Sequence, residues 1–402
     1  MAGFRKIIVT LLIAPLFVNA QDSLTKYPFI NPMAGKLILP KDSSLMDSFY
    51  RKVEALSKNQ RKSITIVHIG GSHVQAGIWS NEFADKFREW SQTKGGGYFV
   101  FPYRLGKTNG QPFATTFSEN SWKLIRPFAN VSGEYLGMSA LCLESKDSIC
   151  QFGLTLREPS AVKKVNEVRV YHNFAQGYAI ELENVPQGLQ VREDDVKKGY
   201  TVFKLLTTAD SLLFKATRTD SVSTFRLYGM RVINDSLPGV VLAPLGANGA
   251  STRSFLKSKL FVPQLKTLEP DLVIISLGVN DVQSVAYDNE VYKENYDSLI
   301  TLIRLASPEA AIVLTTTTDN YIKKRTANKR TARTRDVMLD MLEQEKVAVW
   351  DLYTVMGGYK SILKWQKAGL ASYDRVHFNA KGYTILGRLM FQSIRNASTQ
   401  LQ

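Results

Sequence analysis

Three side chains that could together cleave an ester lie far apart in this sequence, and the first of them is a serine. Ser72 follows the apolar segment 64–69 and two glycines, a pattern that predicts a turn from a strand into a helix. The start of that helix would point unpaired backbone N–H groups and the positive end of its dipole at the region beside the hydroxyl. Such a position suits a nucleophile whose substrate develops negative charge, although Gly-Ser turns are also common in ordinary loops.

The other groups that a serine nucleophile needs occur in the second half of the chain. His377 is the candidate base for the hydroxyl proton, and Asp374, on the same loop, is the candidate carboxylate that orients the imidazole. The candidate oxyanion donors are the backbone N–H groups of Ser72 and Gly249 and the side-chain amide of Asn280, each worth about 3 kcal/mol in the transition state if well placed. Together these groups predict acyl transfer through a covalent intermediate on the serine.

Each of these residues also has a purely structural interpretation. Asp374 and His377 could cap the last helix, Asn280 could serve a turn, and Gly249 could serve only the backbone geometry of its loop. Catalysis is favoured because the segments follow predicted strands of one sheet or precede its last helix. Loops of this kind meet at the carboxyl edge of a parallel sheet.

The neighbours of the candidate site residues have predicted roles of their own. His73, beside the serine, and Asp281, beside Asn280, are possible substrate contacts, whereas His68 lies inside the strand and is predicted to be a buried structural histidine. The four histidines are scattered and the two cysteines lack metal-site spacing. We therefore expect neither a metal nor a cofactor.

The sequence predicts an α/β domain that brings these loops together. Strand segments alternate with helical stretches after residue 239, which is typical of a parallel sheet with helices on both faces. The predicted strands of this sheet are 64–69, 240–245, 271–277, 311–317 and 347–352. The helix after Ser72 is predicted to pack on the sheet through the stripe Trp79, Phe83, Phe87 and Trp90.

Between residues 122 and 235 the pattern changes to short β-rich runs separated by turn residues, which predicts an all-β, sandwich-like module. This module interrupts the α/β domain, whose two parts are 42–121 and 236–402. Within the module, Tyr171, Phe174 and Tyr178 could form a sugar-stacking face, but aromatic residues of small sandwiches more often belong to the core.

Four segments in this order resemble the sequence blocks of the SGNH (GDSL-type) hydrolase family: GGSH at 70–73, NGAS at 248–251, GVND at 278–281 and DRVH at 374–377. The resemblance implies the flavodoxin-like sheet of the SGNH hydrolase fold and an esterase whose triad is Ser72, Asp374 and His377. The Ser-His pair and the long β-rich insertion are also similar to exported members that remove acetyl groups from peptidoglycan or other polysaccharides.

One position departs from the family pattern. Family members usually carry aspartate before the serine, and this sequence has Gly71 there. In the family that aspartate supports the nucleophile turn and is not part of the triad. Its loss therefore affects the expected catalytic rate more than the assignment of the chain to the family. The G-x-S-x-G elbow of the α/β-hydrolases is absent because Val74 stands at its second glycine.

The first residues are predicted to be a removable export signal. Arg5 and Lys6 precede the apolar run 7–18, and the segment 1–20 ends in the small residue Ala20. The run is too short for a membrane span, so we expect no stable membrane insertion and a periplasmic or secreted location. In an exported protein Cys142 and Cys150 could form a disulfide, but two buried free thiols are nearly as consistent with the sequence.

The chain is strongly basic, with a formal net charge of +15 over 402 residues. This charge favours anionic partners such as acidic glycans, and export argues against nucleic acid. A cluster of cations, KKRTANKRTARTR at 323–335, follows the predicted strand 311–317. It could be a solvated helix face, or it could hold an anionic polymer beside the site.

The predicted function is that of an exported serine esterase that removes acyl groups, above all acetyl groups, from a polysaccharide. Two alternatives remain open at this point. The same groups could pass the acyl unit to a sugar hydroxyl, which would make the protein an O-acyltransferase. The chain could also be a non-catalytic glycan-binding protein whose β module binds and whose esterase site has decayed at Gly71.

Overall fold

A computed structural model describes residues 26–400 apart from 128–130, 159, 175–176 and 185–187. The predicted export signal 1–20 lies outside the described residues. Within them, no helix is both long and apolar enough to cross a membrane.

The strands of the described residues are β1 Leu37–Ile38, β2 Ser63–Gly70, β3 Gly95–Val100, β4 Ala114–Phe117, β5 Lys123–Ile125, β6 Cys142–Ser145, β7 Ile149–Leu156, β8 Val165–His172, β9 Tyr178–Leu182, β10 Leu189–Asp195, β11 Tyr200–Ala209, β12 Ser211–Arg218, β13 Phe225–Asn234, β14 Gly239–Gly246, β15 Leu272–Ser276, β16 Ala311–Thr315, β17 Tyr321–Ile322, β18 Thr326–Ala327 and β19 Ala348–Trp350. The α-helices are α1 Ser44–Ser57, α2 Ser72–Gln75, α3 Ile78–Ser91, α4 Thr252–Leu256, α5 Phe261–Lys266, α6 Val279–Gln283, α7 Asn289–Ala306, α8 Arg330–Gln344, α9 Leu352–Val355, α10 Ser361–Lys367 and α11 Ala380–Ala397.

The core of the fold is a parallel sheet in the order β3-β14-β2-β15-β16-β19. Helices α1, α3 and α11 pack together as one group, and α7 packs with α4, α5 and α8 as another, so that helices cover both sides of the sheet. This architecture confirms the predicted α/β class. Each of the predicted parallel strands is present, with bounds that differ by a few residues from the apolar runs.

The β-rich segment forms a two-layer arrangement that grows out of this sheet. Strands β13, β8, β11 and β10 continue the sheet beyond β3, and β4-β7-β12-β9 form a second sheet. The rings of Phe152 and Phe214 in the second sheet stack with their centroids 5.3 Å apart. The Phe152 centroid lies 5.8 Å from that of Phe225 in the first sheet. These aromatic contacts form the core between the two layers.

The predicted boundaries at 122 and 235 are not visible as breaks in this sheet. Strand β13 pairs with β3 and also with β8, and β4, which precedes residue 122, belongs to the second sheet. The division into domains therefore stays a prediction about the sequence. In the structure the two regions share continuous backbone hydrogen bonding.

The three glycines at 95–97 lie in strand β3. A Cβ atom at Gly97 would collide with the backbone of Val232 on β13, and one at Gly95 would collide with the carbonyl of Leu237. Close approach of neighbouring backbones thus requires glycine here, and it overrides the usual depletion of glycine from strands.

Helix α3 covers the strand that leads to Ser72. Trp79, Phe83 and Phe87 of its predicted apolar stripe are buried, and Trp90 packs at the edge of the same core. The stripe is therefore core packing against the sheet, as its helical spacing indicates.

Of the three aromatic residues that could form a sugar-stacking face, Tyr171 belongs to the core, whereas Phe174 and Tyr178 are partly buried. Tyr171 is fully buried, and its hydroxyl bonds to Thr267 at 2.7 Å. Tyr178 packs at 5.3 Å from Phe225. Both cysteines, Cys142 and Cys150, are buried free thiols in the structure.

Asp271 ties the strands together at the amino end of the sheet, opposite the loops that carry the candidate site. Its carboxylate accepts hydrogen bonds from the Arg61 side chain at 2.9 and 3.1 Å and from the Thr65 N–H at 3.0 Å, and it also pairs with Lys52 at 3.0 Å. The Asp271 side chain is only 4% exposed. Its loss would leave a buried backbone N–H without its partner.

We expect the substitution Asp271→Ala to lower the free energy of unfolding by about 2 to 3 kcal/mol, because a charged, nearly buried hydrogen-bond acceptor is removed. Urea unfolding followed by circular dichroism measures this change. The control is Asp42→Ala, which breaks an exposed ion pair with Lys346 and should leave the midpoint unchanged. Equal midpoints for the two variants would contradict the role assigned to Asp271.

Candidate active site

Three strand ends meet at the turn that carries Ser72. Gly70 at the end of β2 lies opposite Gly246 of β14 on one side and opposite Ser276 of β15 on the other. A Cβ atom at Gly70 would collide with Val74, and one at Gly246 would collide with the backbone of Gln75. Glycine at these two positions therefore lets helix α2 fold back directly onto the strand ends.

The structure brings Ser72, His377 and Asp374 together at this edge. The Ser72 hydroxyl lies 2.7 Å from His377 Nε2, and His377 Nδ1 lies 2.7 Å from Asp374 Oδ2. With Nδ1–H donating to the carboxylate, Nε2 is free to accept the proton of the serine hydroxyl. This is the hydrogen-bond chain that a serine nucleophile requires.

Asp374 is fixed by its own loop as well as by the imidazole. Its Oδ1 accepts the backbone N–H groups of Val376 and His377, each at 2.9 Å. Burial raises the pKa of Asp374, but the hydrogen bonds from the His377 backbone and side chain outweigh it, and the net effect is a lowered pKa. The carboxylate is therefore ionised wherever the imidazole can act as a base.

The loop before helix α11 has the geometry of a tight connection. Arg375 adopts a left-handed conformation with φ +59°, and the N–H of Ser372 donates to the carbonyl of His377 at 2.8 Å. Asn379, which caps helix α11, accepts the N–H of Gly382 at 3.1 Å. The helix is thus capped by Asn379, which leaves Asp374 and His377 to face Ser72.

The candidate oxyanion donors lie around the same cavity. Gly249 lines it with φ +79°, and the Asn280 side chain lines it from the start of helix α6. One hydrogen of the Asn280 amide is donated to the carbonyl of Ala250 at 2.8 Å. That bond fixes the amide and leaves its second hydrogen for an oxyanion. As the first residue of α2, Ser72 also has a backbone N–H without an intrahelical partner.

Gly71 packs directly against the Asn280 amide and the Ala250 carbonyl to which that amide is bonded. A Cβ atom at position 71 would lie 3.3 Å from the Ala250 carbonyl oxygen and 3.3 Å from the Asn280 amide nitrogen. The position is therefore tight, and the group that orients the Asn280 amide in this chain is the Ala250 carbonyl. The hydrogen-bond chain from Ser72 to Asp374 forms with glycine at this position.

His73 is buried behind the imidazole of His377. Its Nδ1 lies 2.9 Å from the Tyr383 hydroxyl, and its ring centroid lies 5.1 Å from that of His377. Burial, with a contribution from His377, lowers the pKa of His73 to about 3, so the ring is neutral at neutral pH. Of the roles predicted for His73, the structural one fits this position.

His68 is a buried and hydrogen-bonded histidine, as predicted. Its Nδ1 lies 2.8 Å from the Ser80 hydroxyl and its Nε2 lies 2.7 Å from the Ser276 hydroxyl. Burial lowers its pKa to about 3. The residue therefore braces β2 against α3 and β15 beneath the nucleophile turn.

Asp281 is bonded to Thr252 of the neighbouring loop. Its carboxylate accepts the backbone N–H of Thr252 at 3.2 Å and the Thr252 hydroxyl at 2.7 Å, at the start of helix α4. Its neighbour Asn280 lines the cavity, whereas Asp281 does not. Asp281 thus holds the second and third loops together in this structure, and its contact with a substrate stays a prediction.

Sequence analysis missed Gln75, which orders the second loop. It is 1% exposed, and its side-chain oxygen accepts the backbone N–H of Asn248 at 2.7 Å. Its side-chain nitrogen donates to Thr108 and to the carbonyl of Asn109, both at 3.1 Å. The sequence feature that could have indicated this role is the position of Gln75 one turn after Ser72 on α2, where a side chain faces the neighbouring loop.

The cavity beside Ser72 has a volume of about 740 Å³. Besides the candidate triad it is lined by Tyr383 and, from the segment after β16, by Tyr321, Lys323 and Lys324. Pockets of this size accommodate small molecules and single sugar units. Among the described residues, no group of three or more histidine, cysteine or acidic side chains has the geometry to hold a metal ion.

Comparison with known proteins finds a family model that matches part of the chain. The model of the GDSL-like Lipase/Acylhydrolase family matches residues 210–385. The match contains the loops of Gly249, Asn280 and His377 and begins after Ser72, since the β-rich segment separates the first loop from the others. No curated protein matches the sequence.

A solved structure of a peptidoglycan O-acetylesterase is similar over 92% of this chain and 98% of its own, with a TM-score of 0.72 and 17% sequence identity. This likeness shows a shared fold that includes the β-rich segment. A lipase/acylhydrolase from Enterococcus faecalis aligns over 40% of this chain and 77% of its own, with a TM-score of 0.33 and 24% identity. A putative acylhydrolase from Bacteroides fragilis NCTC 9343 aligns over 39% and 76%, with a TM-score of 0.32 and 23% identity.

The substitution Asp374→Asn is expected to lower kcat for ester hydrolysis by on the order of 10³-fold with little change in KM. An amide N–H facing Nδ1 would favour the tautomer that places the proton on Nε2, so His377 could no longer accept the serine proton. Steady-state kinetics with 4-nitrophenyl acetate measures the effect. Asp336→Asn, which removes an equally negative but distant charge paired with Arg335, is the control and should leave kcat unchanged. An unaltered kcat in Asp374→Asn would remove this residue from the site.

Proposed function

We propose that this carboxylic ester hydrolase is an exported serine esterase that removes O-acetyl groups from a polysaccharide. Its residues 210–385 match the model of the GDSL-like lipase/acylhydrolase family. The observation that carries the proposal is the chain of 2.7 Å hydrogen bonds from Ser72 through His377 to Asp374. Ser72, at one end of this row of hydrogen bonds, lines an open cavity that is large enough for a sugar unit.

In the first half of the reaction, the Ser72 oxygen attacks the ester carbonyl carbon while His377 Nε2 takes the hydroxyl proton. The oxyanion that forms would be held by the N–H groups of Ser72 and Gly249 and by the free hydrogen of the Asn280 amide. His377 then protonates the leaving sugar oxygen, and an acyl-serine remains. Asp374 stabilises the positive imidazole during both proton transfers.

In the second half, a water molecule takes the position of the leaving sugar. His377 removes a proton from this water, the water oxygen attacks the acyl carbon, and the Ser72 oxygen leaves with the returned proton. Acetate and free enzyme are the products. No group beyond the residues already named is required for this cycle.

The acetylated-glycan part of the proposal draws on a likeness of fold. A neighbour of the same fold along nearly its whole length is a peptidoglycan O-acetylesterase. The sequence blocks of this chain, including its Ser-His pair, resemble those of exported esterases of that kind. An open cavity suits a substrate that is part of a longer polymer, because the rest of the polysaccharide can extend out of the cavity into solvent.

The two alternatives make different demands on the site. A glycan-binding protein with a decayed esterase site would not need the ordered geometry of Ser72, His377 and Asp374. An O-acyltransferase would use the same groups with a sugar hydroxyl in place of water. Hydrolysis is favoured because the candidate nucleophile faces an open cavity that water can enter.

Replacing Ser72 with alanine is expected to abolish acetate release from an acetylated glycan, because without the serine hydroxyl no acyl-enzyme can form. Acetate release from purified wild-type and Ser72→Ala protein measures this, and a fluorophosphonate probe should label the wild type at Ser72. The exposed variant Ser57→Ala is the control and should be fully active and labelled.

Three outcomes would contradict the proposal in different ways. Unchanged acetate release by Ser72→Ala would exclude the acyl-enzyme mechanism. Absence of labelling together with retained glycan binding would favour the binding protein. Acetyl transfer to an added glycan acceptor in preference to water would identify a transferase.

Export predicts a defined mature N-terminus. If residues 1–20 are a removable signal, protein recovered from an expressing bacterium should begin at Gln21. Intact-mass measurement of the periplasmic or secreted protein checks this cleavage. A mass that retains Arg5 and Lys6 in the exported protein would contradict the assignment of the signal.

A further inference from the structure

The basic cluster 323–335 contains cations with internal partners, cations that line the cavity, and exposed cations away from the cavity. Arg330 donates to the carbonyls of Val282 and Ser284, and Arg335 pairs with Asp351 at 2.7 Å. These two side chains hold helix α8 to its neighbours. Lys323 and Lys324 are instead exposed and line the cavity that also contains Ser72. The cluster is therefore not one solvated helix face.

The two lysines occupy a turn that is unfavourable for them. They are the first two residues of the three-residue loop 323–325 between β17 and β18, and their φ angles of +48° and +62° place both in the left-handed region. Asparagine and glycine are the usual residues at consecutive positions of this kind, because a side chain with a Cβ pays a steric cost there. A turn with lysine at both positions thus departs from the usual composition of such turns.

The turn is attached directly to the loop of the candidate base. The N–H of Tyr321 donates to the carbonyl of Arg375 at 3.0 Å, and the Arg375 guanidinium donates to the carbonyl of Lys324 at 2.9 Å. The same guanidinium lies over the Tyr321 ring at 5.3 Å. Since Arg375 is two residues from His377, the lysines have a fixed position relative to the reacting groups.

The cavity has an excess of positive charge. The acidic residue that lines it is Asp374, whose oxygens are taken up by His377 and Val376. In the described part of the chain, neither Lys323 nor Lys324 forms an ion pair with a carboxylate. Two ammonium groups that line the cavity, and that form no ion pair within the described residues, favour a negatively charged group in the ligand.

We propose that Lys323 and Lys324 bind a carboxylate on the substrate, so that this esterase prefers acyl esters of acidic sugars over those of neutral sugars. The inference rests on the proposed function and adds a substrate class to it. The acyl group would lie at Ser72 while the acidic group of the same or the adjoining sugar unit contacts the turn. The preference would be electrostatic and would weaken with added salt.

Two sugars that differ in one group test this selectivity. The probes are the O-acetylated methyl glycoside of glucuronic acid and the matching glucuronamide, in which an uncharged amide replaces the carboxylate. The measured quantity is the ratio of kcat/KM for the acid to that for the amide. We expect the wild-type ratio to be well above one at low salt and to fall as salt is added.

The test variant is Lys323→Asn combined with Lys324→Gly, because these residues suit left-handed positions and should preserve the turn. The acid-to-amide ratio is expected to fall by about fivefold for each lysine removed, the effect of an exposed ionic contact. The matched control, Lys329→Gln with Arg333→Gln, removes two exposed charges of the same cluster away from the cavity and should keep the wild-type ratio. Thermal unfolding of each variant checks that the fold is intact.

The outcomes separate this inference from the proposed function. An unchanged ratio in the lysine variant, or an equal fall in the control, would overturn the contact with the two lysines. If the wild type hydrolyses neither ester, the proposed function fails. The lysines can then be tested by calorimetric titration of both sugars into Ser72→Ala protein. Tighter binding of the acid that disappears in the lysine variant would still support them, and equal binding of acid and amide would overturn them.

Discussion

The structure depends on one close contact, in which the backbone of helix α2 lies directly on the ends of β2 and β14. Glycine at positions 70 and 246 makes this approach possible, because a single methyl group at either position would collide with the helix. The contact places the Ser72 hydroxyl at the same edge of the sheet as the loops that follow β14 and β15. Once the serine is held there, the last loop has to supply only an imidazole and a carboxylate. The remaining buried polar residues, such as His68 and Gln75, keep these strand ends and loops in register.

Much of this site could be predicted from the sequence because its residues follow regular elements. Parallel strands appear as apolar runs, and the loops at their carboxyl ends must meet, so Ser72, Asn280 and His377 could be grouped without knowledge of the structure. The roles of second-layer residues could not be predicted in this way. Asp281 and His73 adjoin reacting groups in sequence, yet the direction of each side chain depends on Thr252 and Tyr383, which are remote in the chain.

The β-rich segment shows the limit of reading a fold from local patterns. Its strands were largely visible from their alternating residues, but strand pairing is not a local property, and the continuity of β3 with β13 could not be read from either segment. The strand position of the glycines at 95–97 could not be read from the sequence either, because glycine alone carries no information about a neighbouring backbone. The basic cluster posed the same difficulty. Its charges were evident, but the separation of Lys323 and Lys324 from Arg330 and Arg335 depends on a short hairpin with the three-residue loop 323–325, which composition does not reveal.

The continuous sheet also constrains whether this protein could lose its β-rich segment. Strand β3 pairs with β14 on one side and with β13 on the other, so it is an interior strand of the sheet. Removing β13 and the strands beyond it would expose a row of unpaired N–H and C=O groups along β3, which is rich in glycine and aromatic residues. Such an edge is a template for intermolecular pairing and aggregation. The β-rich segment is therefore not a detachable accessory, because the α/β sheet without it would need a different, protected edge at this place.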